Sequence, residues 1–172
     1  MKKANKKSFV PEFVYGSMDG LVTTFAIVTG SVGAALPAAV ILVVGFANVF
    51  ADAFSMGASS YLSSISEETV HAHRHKKRPF ARGIATFSSF AIVGLVPLVP
   101  FVFTAIVPAF TPYAVKTSVI ATMAAFALVG YVSGCAVGKN PYFTALRNVL
   151  IGGAAASIAY GVGSVVASVF GV

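Results

Sequence analysis

Five apolar runs, at residues 14–34, 38–61, 83–107, 113–137 and 147–170, take up most of this 172-residue chain. A helix needs about 20 apolar residues to cross the hydrocarbon core of a bilayer, so each run is a predicted transmembrane helix. With 57% apolar residues, 10% charged residues and a mean hydropathy of +0.87, the chain is excluded from the ordinary soluble domains. The expected fold is all-α, a polytopic membrane protein with a basic arm at 1–13 and one five-helix domain at 14–172. Any activity must lie within the membrane or in the one longer connection, about residues 63–82.

The net charge of +7 is placed as a topology signal and not as a nucleic-acid surface. Lys2, Lys3, Lys6 and Lys7 precede the first run, Arg74, Lys76, Lys77, Arg78 and Arg82 lie between the second and third, and Lys139 and Arg147 lie between the fourth and fifth. Five crossings put all three groups on one side. The excess of basic residues makes that side cytoplasmic, with the N-terminus inside and the C-terminus outside. Lys116 is the exception, at an outer helix end from which it can snorkel. The basic arm can touch anionic headgroups. Pro11, Glu12 and Asp19 interrupt what would otherwise be a signal-peptide core, so the first run reads as retained. The lone Cys135 excludes an internal disulfide and a cysteine metal cluster.

Within the second run, Gly45 to Gly57, the polar residues fall on one helical face. Asn48, Asp52, Ser55, Met56 and Ser59 are spaced i, i+4, i+7, i+8 and i+11. An ionisable group at membrane depth costs about 2.5–3.5 kcal/mol on insertion scales, and it usually faces a bundle interior or a wet path. Carboxylate and amide oxygens suit hard divalent cations, and a thioether shifts preference toward a softer transition metal. The stripe therefore reads as half of a cation site. Asp19 supplies a candidate for the other half: it lies roughly 8 Å inside the first run, and Asp52 and Met56 come back to comparable depth in the second. The short turn at 33–37 makes these two helices an antiparallel hairpin.

Past Tyr61 the helical pattern can continue toward the cytoplasm. There Glu67, His71 and His75, spaced i, i+4 and i+8 with Glu68 beside them, would present a face able to collect a divalent metal. The alternative is a solvated linker whose charges only fix topology. Pro97 and Pro100 predict a break in the third run. The fourth carries no assignable chemistry, and the glycines of the fifth, among them Gly152, Gly153, Gly161 and Gly163, suit close helix packing and not a phosphate loop.

Two segments carry a resemblance. Asp19-Gly20-Leu21-Val22-Thr23-Thr24-Phe25-Ala26, and Ala51-Asp52-Ala53-Phe54-Ser55-Met56-Gly57 followed by Tyr61-Leu62-Ser63, closely resemble the vacuolar iron transporter family. The pattern of Gly94, Pro97 and Pro100 and the stretch from Arg147 to Gly153 are similar too. The resemblance implies a five-helix protomer, a homodimer with the ion path at or near the interface, and proton-coupled removal of ferrous iron or manganese from the cytosol. It implies that Asp19 is the carboxylate ligand of the first helix and Met56 the methionine of the second. Asn48 stands where plant vacuolar members carry a glutamate, and Asp52 adds a carboxylate one turn away. Plant and fungal importers insert a cytoplasmic metal-binding domain between helices two and three; here only about twenty residues join them, as in the short members of the family.

On this reading the metal ligands are Asp19, Asn48, Asp52 and Met56, the metal is cargo, and no permanently bound cofactor is expected. The expected partners are the divalent ion, protons, the bilayer and a second copy of the chain. A scaffold or accessory subunit would instead use the acids to hold helices together, which requires basic partners, and no lysine, arginine or histidine lies within any run at their depth. A membrane hydrolase or oxidase would need a nucleophile with a base, or several histidines within the runs, whereas all three histidines share one loop. The expected location is the plasma membrane, or the vacuolar membrane in a eukaryote.

Overall fold

The computed structural model describes residues 9–70 and 78–171, with side chains for all of these except 68–70. The described chain is helical throughout, with no strand. α1 spans Val10–Gly33, α2 Ala38–Val70, α3 Pro79–Gly94, α4 Val99–Ile106, α5 Thr111–Val137 and α6 Pro141–Phe170. Short 3₁₀ turns at Val96–Leu98 and Pro108–Phe110 flank α4. Proline stands in the first turn of α1, α3, α4, α5 and α6, where its missing N–H leaves no intrahelical bond unmade. Asn140 caps α6 by accepting from the Tyr142 and Phe143 amides at 3.0 and 3.3 Å, and Gly138, at φ 72°, closes α5.

Among the described residues, four stretches are long and apolar enough to cross a membrane: Ala38–Glu67, Pro79–Ile106, Pro108–Val137 and Pro141–Phe170. α1 has the length, at 24 residues, but not the apolarity of these four. Its position accounts for the difference. α1 is the central helix of the bundle, packed against α2, α3, α5 and α6, and a helix wrapped by protein does not need an apolar coat. The third crossing is α3 and α4 joined through the turn at Val96–Leu98. Pro97 and Pro100 break it where the sequence predicts, and the Ser118 hydroxyl of α5 donates to the Pro97 carbonyl at 2.6 Å. α6 starts at Pro141, earlier than the apolar run, so Arg147 lies inside the helix about two turns from its start and not in the connection.

Small residues set the closest contacts. A Cβ at Gly20 would stand 2.6 Å from the Phe90 carbonyl oxygen and 3.3 Å from the Gly94 Cα, so α1 and α3 touch backbone to backbone. Later along α1, Gly30 and Gly33 play the same part against Ala159, Tyr160 and Gly163 of α6. Two apolar clusters fill the remaining space. Val28, Ile41, Val49, Ala53, Phe90, Leu98 and Phe101 join α1 through α4. Leu21 and Phe25 meet Phe126, Val129 and Ala156 of α5 and α6.

Candidate functional site

The site is assembled by helix register. Gly16 and Gly20 pack parallel along α3 against Thr86 to Gly94, while Gly57 of the antiparallel α2 packs against Gly83 and Phe87. Extended along each helix, both registers lead to the same turn of α3, the buried turn holding Phe90 and Ala91. Asp19 and Asp52 therefore share one level from opposite flanks. Among the described residues neither side chain forms an ion pair or a hydrogen bond.

On α2 the predicted stripe lies at the border between the buried and exposed faces. Asn48, Asp52 and Met56 are half-buried, and Ser55 and Ser59 are exposed. Met56 leans on the cluster of Val49, Ala53 and Phe90. The Asn48 amide nitrogen is buried without a hydrogen-bond partner, as are the Ser17 and Thr24 hydroxyls of α1. Oxygen donors from Asp19, Asp52 and Asn48, with the Met56 thioether one turn away, match the needs of a first-row divalent cation. No cluster of three acidic, histidine or cysteine side chains that could hold a metal ion occurs among the described residues.

A second group of charges was not singled out from the sequence. Glu12 is only 7% exposed, and it accepts from the Arg82 Nε; the Arg82 Nη1 reaches Glu67 Oε2 at 3.4 Å. This bridge ties the start of α1, the start of α3 and the end of α2 together. Glu12 lies seven residues before Asp19, on the same face of α1, a periodicity that could have flagged it. In sequence Arg82 is one basic residue among five. Of the predicted capture face, Glu67 is engaged with Arg82, whereas His71, His75 and the Glu68 side chain lie outside the described residues.

Comparison with known proteins follows this geometry. A family model described as the VIT family matches residues 10–78 and 67–164. The chain belongs to the VIT family. The "Vacuolar iron transporter" of Toxoplasma gondii is 29% identical to it, over 95% of this chain and 76% of that protein. "Vacuolar iron transporter 2" of Oryza sativa is 28% identical over 93% of this chain and 88% of its own length, and "Vacuolar iron transporter 1" of Tulipa gesneriana is 25% identical over the same shares. These VIT relatives are transporters by name and not enzymes, in agreement with the sequence reading. The two VIT matches meet at residues 67–78, so the break in the family pattern falls at the connection between α2 and α3.

Proposed function

We propose that this chain exports a divalent transition metal, ferrous iron or manganese, from the cytosol in exchange for protons. The observation that carries the proposal is the meeting of Asp19 and Asp52 at one depth with no base between them. Glu12 is neutralised by Arg82, whereas two carboxylates at one depth that are paired with no cation among the described residues call for one from outside. α1 makes the fifth crossing, which puts the N-terminus in the cytosol and the C-terminus outside. The membrane is the plasma membrane, or that of the vacuole in a eukaryote.

A second copy of the chain completes the site. Asp52, half-buried at the border of α2, would face hydrocarbon in a monomer. The exposed residues flanking it, Val44, Ala51, Ser55 and Leu62, offer a continuous strip for a two-fold partner that would double the ligand set. The Asp19 and Asp52 carboxylates bind the metal, Asn48 adds an amide oxygen, and Met56 favours iron and manganese over magnesium and calcium. Metal and protons compete for the same oxygens: binding of one expels the other, and alternating access then couples their opposite movements.

The competition is directly measurable. Each proton taken up by Asp19 or Asp52 removes charge that the metal needs, so Mn²⁺ affinity of the purified dimer falls as pH is lowered from 7.5 to 5.5, and Mn²⁺ binding releases protons. Titration calorimetry in two buffers of different ionisation enthalpy reads both quantities. An affinity independent of pH, with no proton released, contradicts the shared-carboxylate coupling.

A further inference from the structure

α2 and α3 enclose a surface groove that the cation site does not use. Its volume is about 420 Å³, and Phe54, Gly57, Ala58, Tyr61, Phe80, Gly83, Ile84 and Phe87 line it. Gly57 and Gly83 form the floor: a Cβ on either would stand 2.8–3.0 Å from neighbouring atoms, so the two backbones touch and the flanking aromatics stand up as walls. Phe54, Gly57 and Tyr61 lie roughly 140–200° around α2 from Asp52, which places the groove on the far side of the helix from that carboxylate; the strip offered to a second copy runs between the two, with Ala51 and Ser55 roughly 60–100° from Phe54. With the N-terminus in the cytosol, as proposed above, the groove occupies the cytoplasmic half of the bundle.

Charge at its mouth identifies the occupant. Arg78 is exposed at the start of α3, two residues before Phe80, and its side chain forms no ion pair among the described residues. The next cation along, Arg82, is committed to Glu12 and Glu67 and does not line the groove. The sequence adds Arg74, Lys76 and Lys77 just ahead of Arg78 and no acid between 69 and 82. An apolar cleft at inner-leaflet depth, ending at an unpaired guanidinium, has the shape and charge of a phospholipid site. We propose that it binds an anionic phospholipid, with one acyl chain between Phe54 and Phe87 and the headgroup phosphate on Arg78.

Native mass spectrometry of the full-length dimer, titrated with phosphatidylglycerol or phosphatidylcholine of identical chains, tests the proposal. A basic residue near an anionic headgroup contributes about 1 kcal/mol, or roughly fivefold in affinity, so the wild type retains phosphatidylglycerol about fivefold over phosphatidylcholine, and Arg78→Gln removes that preference. Ile84 is half-exposed on the groove rim, so Ile84→Trp fills the cleft without entering the core and loses both lipids. Equal retention of the two lipids by the wild type overturns the proposal, as does unchanged binding to Ile84→Trp. A disulfide between copies of Ile84→Cys, formed in native membranes in a Cys135→Ser background, would seat a second chain in the groove and overturn it too. Metal transport is measured separately, so a silent transporter that still selects phosphatidylglycerol leaves this site standing.

Discussion

Asp52→Asn is expected to weaken Mn²⁺ binding on the order of 100-fold while leaving the fold as stable as before, or slightly more so. Asp19→Asn should behave alike. A unit charge about 4 Å from a dication contributes roughly 8 kcal/mol at an effective dielectric near 20. Desolvation offsets most of this, and a net loss of about 2.7 kcal/mol corresponds to the stated factor. Stability moves the other way because an ionised carboxylate half-buried at membrane depth is costly, and neutralising it removes that cost. Asparagine keeps the volume and the hydrogen-bonding oxygen. The pairing of weaker binding with undiminished stability separates a cation site from a structural acid, since in a scaffold the same substitution would destabilise the protein and leave nothing to bind. Calorimetric titration and thermal unfolding of each variant give the two readouts.

Arg82→Gln has the opposite signature. It leaves Glu12 charged and 7% exposed with no counter-ion, a situation that costs about 3 kcal/mol, the lower end for a broken buried pair because Arg82 itself is 24% exposed. The loss falls on the end of the bundle where α1 and α3 begin and α2 ends, so the melting temperature should drop by several degrees. Glu12→Gln in the same chain should recover most of the loss, because it removes the orphaned charge. Glu67→Gln alone should cost less than about 1 kcal/mol, since that carboxylate is exposed and 3.4 Å from its partner. A double-mutant cycle on Glu12 and Arg82 measures the coupling. Additive effects would show that the two side chains do not depend on each other.

The contrast between the two acid pairs shows what the sequence could and could not convey. The helices were legible because about twenty consecutive apolar residues have few other fates, and the break at Pro97 because proline lacks the N–H that a continuous helix needs. The shared depth of Asp19 and Asp52 followed from hairpin topology together with a fixed rise per residue. α1 was harder to grade. Its apolarity falls short of that of the other crossings because its neighbours are helices and not lipid, and packing of that kind has no local signature. Glu12 and Arg82 were missed for a related reason: seventy residues separate them, and only the backbone contact of Gly16 and Gly20 with α3 brings them together. The groove between α2 and α3 depends on the same kind of long-range glycine contact.

The most direct test of the cation path is uptake of Fe²⁺ and Mn²⁺ into proteoliposomes carrying an internal pH reporter, with wild type beside Asp52→Asn. The account predicts metal movement with opposite proton movement in the wild type and neither in the variant. Metal flux without proton movement, or a variant that transports like wild type, would contradict it.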